Sequence, residues 1–533
     1  MTRTFPGDAL VLGVRRQVGA AQGANYTSRL LLVVAALLVA AQLRAAHLLE
    51  NRFHQDEALY ATFARFIASG PGRGLLLSHM LVDKPPLAFY LNALSVAVLG
   101  GGEFALRLPT LLASIVSTAL VYAIGRRLYG ATAGLAAAWA MALSPFAIQF
   151  SITVFVDPLL TTWLLLAMLL MVRGRLGWAG LALALAWGTK QTALLFVPLA
   201  LLLGLASLPR PVRVKQAITF LLRAALPALA GIALVTLLLI AWDQRRGAPI
   251  SIFQQGYSDN ASTRLASPDE LRLRGDALLG ILRHFTGNEL IGALLLAGLV
   301  GVLVVDARQR SRAAWIDALL LVFQVGYLAG YWIVSLNLFD RYFLPILPLA
   351  ALLAGRVFDT ATQALAAGLT WLSRRAHLDP ARAPRAAWLG ARVVLPLALL
   401  AILITAAGAA NYDFSPIGGD HGAYDGVDDT ARFILTLPHN GILYDHWLSW
   451  EFDYYLFDKA VHTLYYPDAR TLTQDLVING HKAPRYLVMP WWANDLDPGP
   501  AVRQAGYAMR PVHRSFRRDG VVSFTVYQLD ATQ

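Results

Sequence analysis

Asp56 and Glu57 stand side by side in FHQDEALYATFARF, shortly after the apolar run LLLVVAALLVAAQL. A carboxylate held at the edge of hydrocarbon can take a proton from an alcohol. The same pair also suits the start of a helix, where first-turn acids favour the helix dipole. Asp157 lies in SITVFVDPLLTTWLLL, at the mouth of another apolar run. A carboxylate there is costly unless it faces a cavity or a partner, so a functional role is the first reading. Asp-Pro is also a usual way to start a helix.

Three cations sit at similar places. Lys84 in DKPP precedes two prolines, which hold it extended or in a turn. An ammonium projecting there suits a phosphate, although simple snorkelling is the plain alternative. Lys190 interrupts two apolar runs in WGTKQTALLF and has no partner nearby in sequence. Arg341 follows Asp340 in NLFDRYFLPILPLAALLAG, where a surface ion pair at a helix start is the plain alternative. His54 and His79 flank the same stretch as Asp56 and Asp83 and are candidates for a divalent metal site. They lack an H-x-x-x-H spacing, which favours structural or solvated histidines. Tyr60, Asp83, Tyr342 and His54 are candidate substrate contacts. There is no G-x-S-x-G, P-loop or dinucleotide fingerprint. The aromatics of HWLSWEFDYYLF and MPWWAND are expected to pack a tail domain or touch the interface rather than stack on sugars.

The elements that must hold these residues are apolar helices. Of 533 residues, 57% are hydrophobic and 15% charged, too apolar for a soluble globule of this length. Runs of Leu, Ala, Val and Ile recur from Leu30 to Ala410, several of them near the roughly 20 residues needed to cross a bilayer. The expectation is an all-α polytopic membrane domain of about 11 spans, near 30–48, 104–124, 131–150, 156–172, 177–190, 193–208, 224–242, 288–305, 313–335, 342–356 and 393–411. Residues 85–100 open with Pro-Pro and read as a re-entrant or interfacial helix. The arginines of alternate loops fall on one side if the N-terminus, 1–29, is cytoplasmic. Asp56, Lys84, Asp157, Lys190 and Arg341 then share the outer side, with external loops at 49–103 and 243–287. The second loop breaks the charge pattern, because it carries Arg245, Arg246, Arg264, Arg272, Arg274 and Arg283.

Residues 412–533 read as a small soluble α/β domain outside the membrane. Its strands are expected in GILYDHW, RYLVMP and VVSFTVYQL, and its helices in DGVDDTARFILTL and DARTLTQDLVING. This tail holds 10 basic and 15 acidic residues, against 35 and 18 before it. The basic excess therefore belongs to the membrane part, where it reports orientation rather than a nucleic acid partner. Cysteine is absent, which excludes disulfides and thiolate chemistry.

In order along the chain, DEALYATFARFI, DKPPLAFYLNALSVAVLG, EFALRLPTLLAS, VFVDPLLTTWLLL, WGTKQTALLFVPLALLL and RYFLPILPLAALLAG resemble the dolichyl-phosphate-mannose protein mannosyltransferase-like superfamily. Within it they are similar to bacterial aminoarabinose transferases acting on lipid A and to rhizobial lipopolysaccharide galacturonosyltransferase-like enzymes. Asp83 stands where the aminoarabinose group usually has Glu. The resemblance spans about residues 45–356 and implies a GT-C membrane domain. It implies inverting transfer of a sugar from a polyprenyl-phosphate carrier to a lipid, glycan or protein acceptor outside the cytoplasm, in a cell (plasma or inner) membrane. Carried across, Asp56 with its neighbour Glu57 is the first-loop catalytic acid and Asp157 the second-loop acid. Lys84 and Arg341 meet the carrier phosphate, and Lys190 joins them. A transporter or flippase of a lipid-linked envelope precursor is the alternative, but it favours mid-span charges and repeated halves. A non-enzymatic assembly protein would leave Asp56, Lys84 and Asp157 unexplained.

Overall fold

Long runs of Leu, Ala and Val leave a membrane chain one economical choice, since only a helix satisfies its own backbone in hydrocarbon. In the computed structural model, residues 27–375 and 422–532 are described, apart from 47, 71–73, 210, 259–263 and 310, together with a few scattered positions between 376 and 421. The cytoplasmic segment expected at 1–29 and the span expected at 393–411 lie largely outside the described residues. Helix α1, Thr27–Ala45, is the first apolar helix. Then come α2 (Gln55–Ala68), α3 (Leu87–Leu99), α4 (Glu103–Leu128), α5 (Ala131–Leu143), α6 (Pro145–Ser151), α7 (Asp157–Val172) and α8 (Leu176–Trp187). A 3-10 turn, Gln191–Phe196, leads into α9 (Val197–Ala206), followed by α10 (Val214–Arg246), α11 (Ile252–Ser258), α12 (Pro268–Thr286), α13 (Glu289–Gln309) and α14 (Arg312–Ile333). A second 3-10 turn, Asp340–Ile346, runs into α15 (Leu347–Arg375).

By length and composition, 5 of these helical stretches can cross a membrane: α1, α4, α10, α14 and Asp340–Leu372. The number rises to 7 if α5 with α6, bent by 58°, and α12 with α13, bent by 93°, each count as one. Length alone thus does not give the expected 11 spans. The runs expected at 156–172, 177–190 and 193–208 form shorter apolar helices, and the re-entrant or interfacial segment at 85–100 forms the 13-residue α3.

The break between α5 and α6 has a visible support. Arg44 of α1 is fully buried and donates to the carbonyls of Met141 (2.9 Å) and Ala142 (3.0 Å), and to Ser114 Oγ (2.8 Å). It satisfies two carbonyls that the end of a helix leaves without partners. Helices α4 and α5 cross closely because Gly125 and Gly134 face each other. A Cβ on Gly125 would stand 2.8 Å from the Gly134 Cα.

The arginines of 243–287 also find work. Buried Arg246 donates to Asp243 (2.9 Å), Met80 O (3.2 Å) and Ile250 O (2.8 Å). Arg274 holds Tyr331 O and Leu336 O, Arg264 pairs with Glu270, and Arg283 with Glu289. Arg246 and Arg274 thus brace the fold, whereas Arg264 and Arg283 form exposed ion pairs.

The tail is an α/β domain. Its elements are α16 (Val427–Ile434), β1 (Ile442–Asp445), α17 (Ser449–Tyr455), β2 (His462–Tyr465), α18 (Ala469–Asn479), β3 (Arg485–Pro490), α19 (Gly499–Gln504), β4 (Tyr507–Phe516) and β5 (Val522–Ala531). The sheet order is β2-β1-β3-β5-β4, parallel across β2, β1 and β3 and antiparallel across β3, β5 and β4. Phe452 of α17 packs with Val488 and Phe524 in one core, and Leu472 and Leu476 of α18 pack with Leu487 in another. Helices therefore cover apolar side chains of the sheet in two separate clusters. Gln55 Nε2 donates to Trp447 O (3.1 Å) and Arg65 Nη1 to Tyr454 O (2.9 Å), so α17 is tied to α2 at both ends.

Candidate active site

Helix α2 starts at Gln55, one residue before Asp56, because the neighbouring side chains satisfy its first amides. His54 is the cap: its Nδ1 accepts from Asp56 N at 3.2 Å. Glu57 returns the bond, accepting from His54 N at 3.3 Å. Its other oxygen accepts from Val154 N at 2.9 Å, across 97 residues. Glu57 is fully enclosed, and Arg107 Nε stands 3.9 Å from it. Burial outweighs that cation and pushes the Glu57 carboxyl up to about 7. Asp56, one helical step on, faces the other way and pairs with Arg341 Nη2 at 2.6 Å.

Arg341 comes from the 3-10 turn before α15. Its guanidinium lies over Phe339 (4.3 Å) and Phe155 (4.8 Å), faces that favour a planar cation. Asp340 accepts from the Arg341 backbone N–H at 2.7 Å, so it shapes the turn instead of pairing with the guanidinium. Asp157, the first residue of α7, pairs with Lys190 Nζ at 2.6 Å. Lys190 sits at the extended break after α8, its ammonium 4.0 Å from the centre of the Tyr342 ring. The Lys-Pro-Pro turn docks on the same break, through Leu87 N to Gly188 O (3.1 Å) and Gln191 Nε2 to Asp83 O (2.7 Å). Lys84 pairs with Asp83 and is near enough to Lys190 for their charges to interact. Tyr60, buried on α2, feels the charges of Asp83, Asp56 and Arg341.

Asp56, Asp83, Asp157, Lys84, Lys190 and Arg341, with Tyr60 and Tyr342, thus gather into one region from segments spread between residues 56 and 341. Asp157, Lys190, Lys84 and Arg341 are 1%, 3%, 6% and 8% exposed, far below what a solvated or snorkelling charge shows. Each acid carries a cation, so the cluster is close to neutral. Glu57 is adjacent in sequence but turned inward, with both oxygens on backbone amides. His54 has its Nδ1 committed to the helix start, and His79 is exposed. Among the described residues, no three His, Cys, Asp or Glu side chains are grouped to hold a metal ion. The donor set does not fit a divalent metal, and no step is derived through one.

Sequence reading missed Glu103, Arg107 and Tyr455. Arg107 donates to Leu48 O (2.7 Å) and Asn51 O (2.8 Å), and Tyr455 Oη to Glu103 Oε1 (2.7 Å). The one available signal was two charges four residues apart, Glu103 and Arg107, at the head of an apolar helix.

Residues 83–237 match the family model described as dolichyl-phosphate-mannose-protein mannosyltransferase. Two Bacillus subtilis (strain 168) proteins with mannosyltransferase names are similar over part of the chain. YkcB is 32% identical over 120 residues, 22% of this chain and 16% of that protein. YycA is 32% identical over 108 residues, 20% and 16%. The matched segment thus spans about a sixth of each relative. Among solved structures, ArnT from Cupriavidus metallidurans bound to undecaprenyl phosphate superposes with TM-score 0.56 at 17% identity, over 95% of this chain and 98% of that one. The oligosaccharyltransferase AglB from Archaeoglobus fulgidus, in complex with an inhibitory peptide and a dolichol-phosphate, gives 0.51 at 14% identity, over 94% and 74%. The chain thus shares the fold of these solved glycosyltransferases along nearly its whole length, and its residues 83–237 carry the signature of the dolichyl-phosphate-mannose-protein mannosyltransferase family.

Proposed function

We propose that this chain is a polyprenyl-phosphate-dependent glycosyltransferase. It moves a sugar, with inversion, to a hydroxyl of a lipid, glycan or protein acceptor on the extracytoplasmic side of a cell membrane. The observation that carries the reading is the convergence of Asp56, Asp157, Lys84, Lys190 and Arg341 in one buried, charge-balanced cluster. Buried charges at membrane depth are expensive and are kept for function. That ArnT is solved with undecaprenyl phosphate and AglB with dolichol-phosphate supports a lipid-linked donor.

In this mechanism the donor phosphate enters between Arg341, Lys84 and Lys190. Its charge competes with Asp56 for Arg341, which frees the carboxylate. Asp56 takes the proton of the acceptor hydroxyl while that oxygen attacks the anomeric carbon. The bond from that carbon to the phosphate oxygen breaks, and the polyprenyl phosphate leaves with the electron pair. The three cations offset the charge that grows on it. Asp157 keeps the Lys190 ammonium charged and aimed. Glu57 works by position, joining the start of α2 to the segment before Asp157.

The test is reconstitution of the purified protein in liposomes with a panel of radiolabelled polyprenyl-phosphate sugars and an envelope extract. The expected result is label passing from the carrier to a new molecule, with inverted anomeric configuration. Label crossing the bilayer still joined to its carrier would instead identify a flippase.

A further inference from the structure

We propose that Tyr455 of the soluble domain is a positioning residue for the Asp56 loop, acting through Glu103, Arg107 and Glu57. This rests on the glycosyltransferase reading and extends it to the tail, which then forms part of the catalytic machinery.

The two residues before Gln55 carry backbone N–H groups that no helix can satisfy, because they lie ahead of its first turn. Phe53 N donates to Tyr455 Oη at 3.1 Å, and His54 N donates to Glu57 Oε2 at 3.3 Å. The entry to Asp56 is therefore clamped on one amide by the soluble domain and on the next by its own helix. The two clamps are themselves joined. Tyr455 Oη donates to Glu103 Oε1 at 2.7 Å, and Glu103 also takes Arg52 Nη1 at 3.0 Å. Its second oxygen stands 3.5 Å from Arg107 Nη1. Arg107 underlies the Phe53 ring at 4.8 Å and reaches Glu57. Glu57 then holds Val154 N, three residues before Asp157. A buried polar chain, hydrogen-bonded at its ends and joined through Arg107 by ion pairs at 3.5 and 3.9 Å, so connects a hydroxyl on the soluble domain to both acid-bearing loops. In a low-dielectric interior such a chain acts as a unit, and losing one member loosens the others.

Ordinary domain docking would also place a tyrosine at this interface, and the adjacent residue separates the two cases. Tyr454 is buried too, and its hydroxyl donates across the same interface to Gly101 O at 3.0 Å. Among the described residues that hydroxyl makes no hydrogen bond to Glu103, Arg107 or Glu57. Tyr454→Phe removes one interdomain hydrogen bond, to Gly101 O, and Tyr455→Phe removes the two that join Phe53 N to Glu103. Tyr455→Phe is expected to lower kcat for sugar transfer about 10-fold, with donor KM within about 2-fold, since small misplacements of a catalytic group are costly. Tyr454→Phe should leave kcat within about 2-fold. Combined with Glu103→Ala, Tyr455→Phe should cost less than the two single losses multiplied, because the two residues share a bond and their effects do not add.

Amide hydrogen exchange gives a second readout, independent of catalysis. Exchange in residues 48–58 should speed up in Tyr455→Phe and stay at the wild-type rate in Tyr454→Phe. Equal losses in the two single variants, an unchanged kcat in Tyr455→Phe, or additive losses in the double variant would overturn the proposal. So would equal exchange in both. Failure of Asp56 as the base would appear separately, as retained transfer in Asp56→Asn with the contrast between the tyrosines intact.

Discussion

Asp56 meets Arg341 at 2.6 Å although 285 residues separate them, and Asp157 meets Lys190 across 33. Sequence made each of these residues conspicuous, as a charge at the end of an apolar run. It could not supply the pairing, because nothing local links Asp157 to Lys190. Nor could it tell Asp56 from Glu57, since two neighbours on a helix point about 100° apart and only packing decides which is enclosed. The site predicts that Arg341→Lys keeps the charge yet loses the planar stacking on Phe339 and Phe155. Donor KM should rise about 10-fold, on the scale of a lost cation–π contact of roughly 1–2 kcal/mol; an unchanged KM in steady-state transfer assays would deny Arg341 a donor contact. A pH effect follows from Glu57, held up at about 7, and from Glu451, which burial pushes well above the usual carboxylate range. Above the ordinary value of 4.5 the unfolded chain has released protons that the folded chain keeps, so folding binds protons. Stability must therefore fall as pH rises from there, through about 7 in the case of Glu57. In nanodiscs the thermal midpoint of wild type should drop over that window, and Glu57→Gln should show a shallower fall.

Several segments that carry the charged cluster are breaks between helices: the His54 cap, the 3-10 turn at Asp340–Ile346, and the extended Lys190 between α8 and its following turn. Such breaks are cheap only where protein covers the exposed backbone groups. Apolar periodicity located the helices well and the breaks poorly, because a short helix and a full span share the same Leu-rich composition. That is why runs expected to be spans at 177–190 and 193–208 form shorter helices beside Lys190. The arginines of 243–287 teach the same point. Their charge broke the expected alternation of loops, yet Arg246 is locked into the chain by Asp243, Met80 O and Ile250 O. Arg246→Met should destabilise the protein by about 3 kcal/mol, the scale for breaking a buried pair. Exposed Arg264→Ala should leave the thermal midpoint unchanged. Equal shifts in calorimetry would contradict this division.

Across the whole molecule, the α/β tail was legible from strand-like runs such as RYLVMP, and α16 and α18 fell where expected, whereas α17 and α19 were not foreseen. Its attachment was not legible, because the tyrosines of FDYYLF read equally well as core or as interface. The structure uses them as interface, beside the first loop. If the tail and the charged cluster share the outer side, single cysteines report it cleanly, since the chain has none of its own. Asp519→Cys should react with an impermeant maleimide from outside intact cells, and Arg173→Cys only after lysis; the reverse pattern would invert the topology.

The most direct measurement takes Asp56→Asn in nanodiscs and determines both donor affinity and single-turnover sugar transfer. Removing the carboxylate leaves Arg341 free for the phosphate, so donor should bind as tightly as in wild type or more so, while transfer falls at least about 100-fold. Transfer at the wild-type rate, or loss of donor binding in a folded variant, would contradict the assignment of Asp56 as the base.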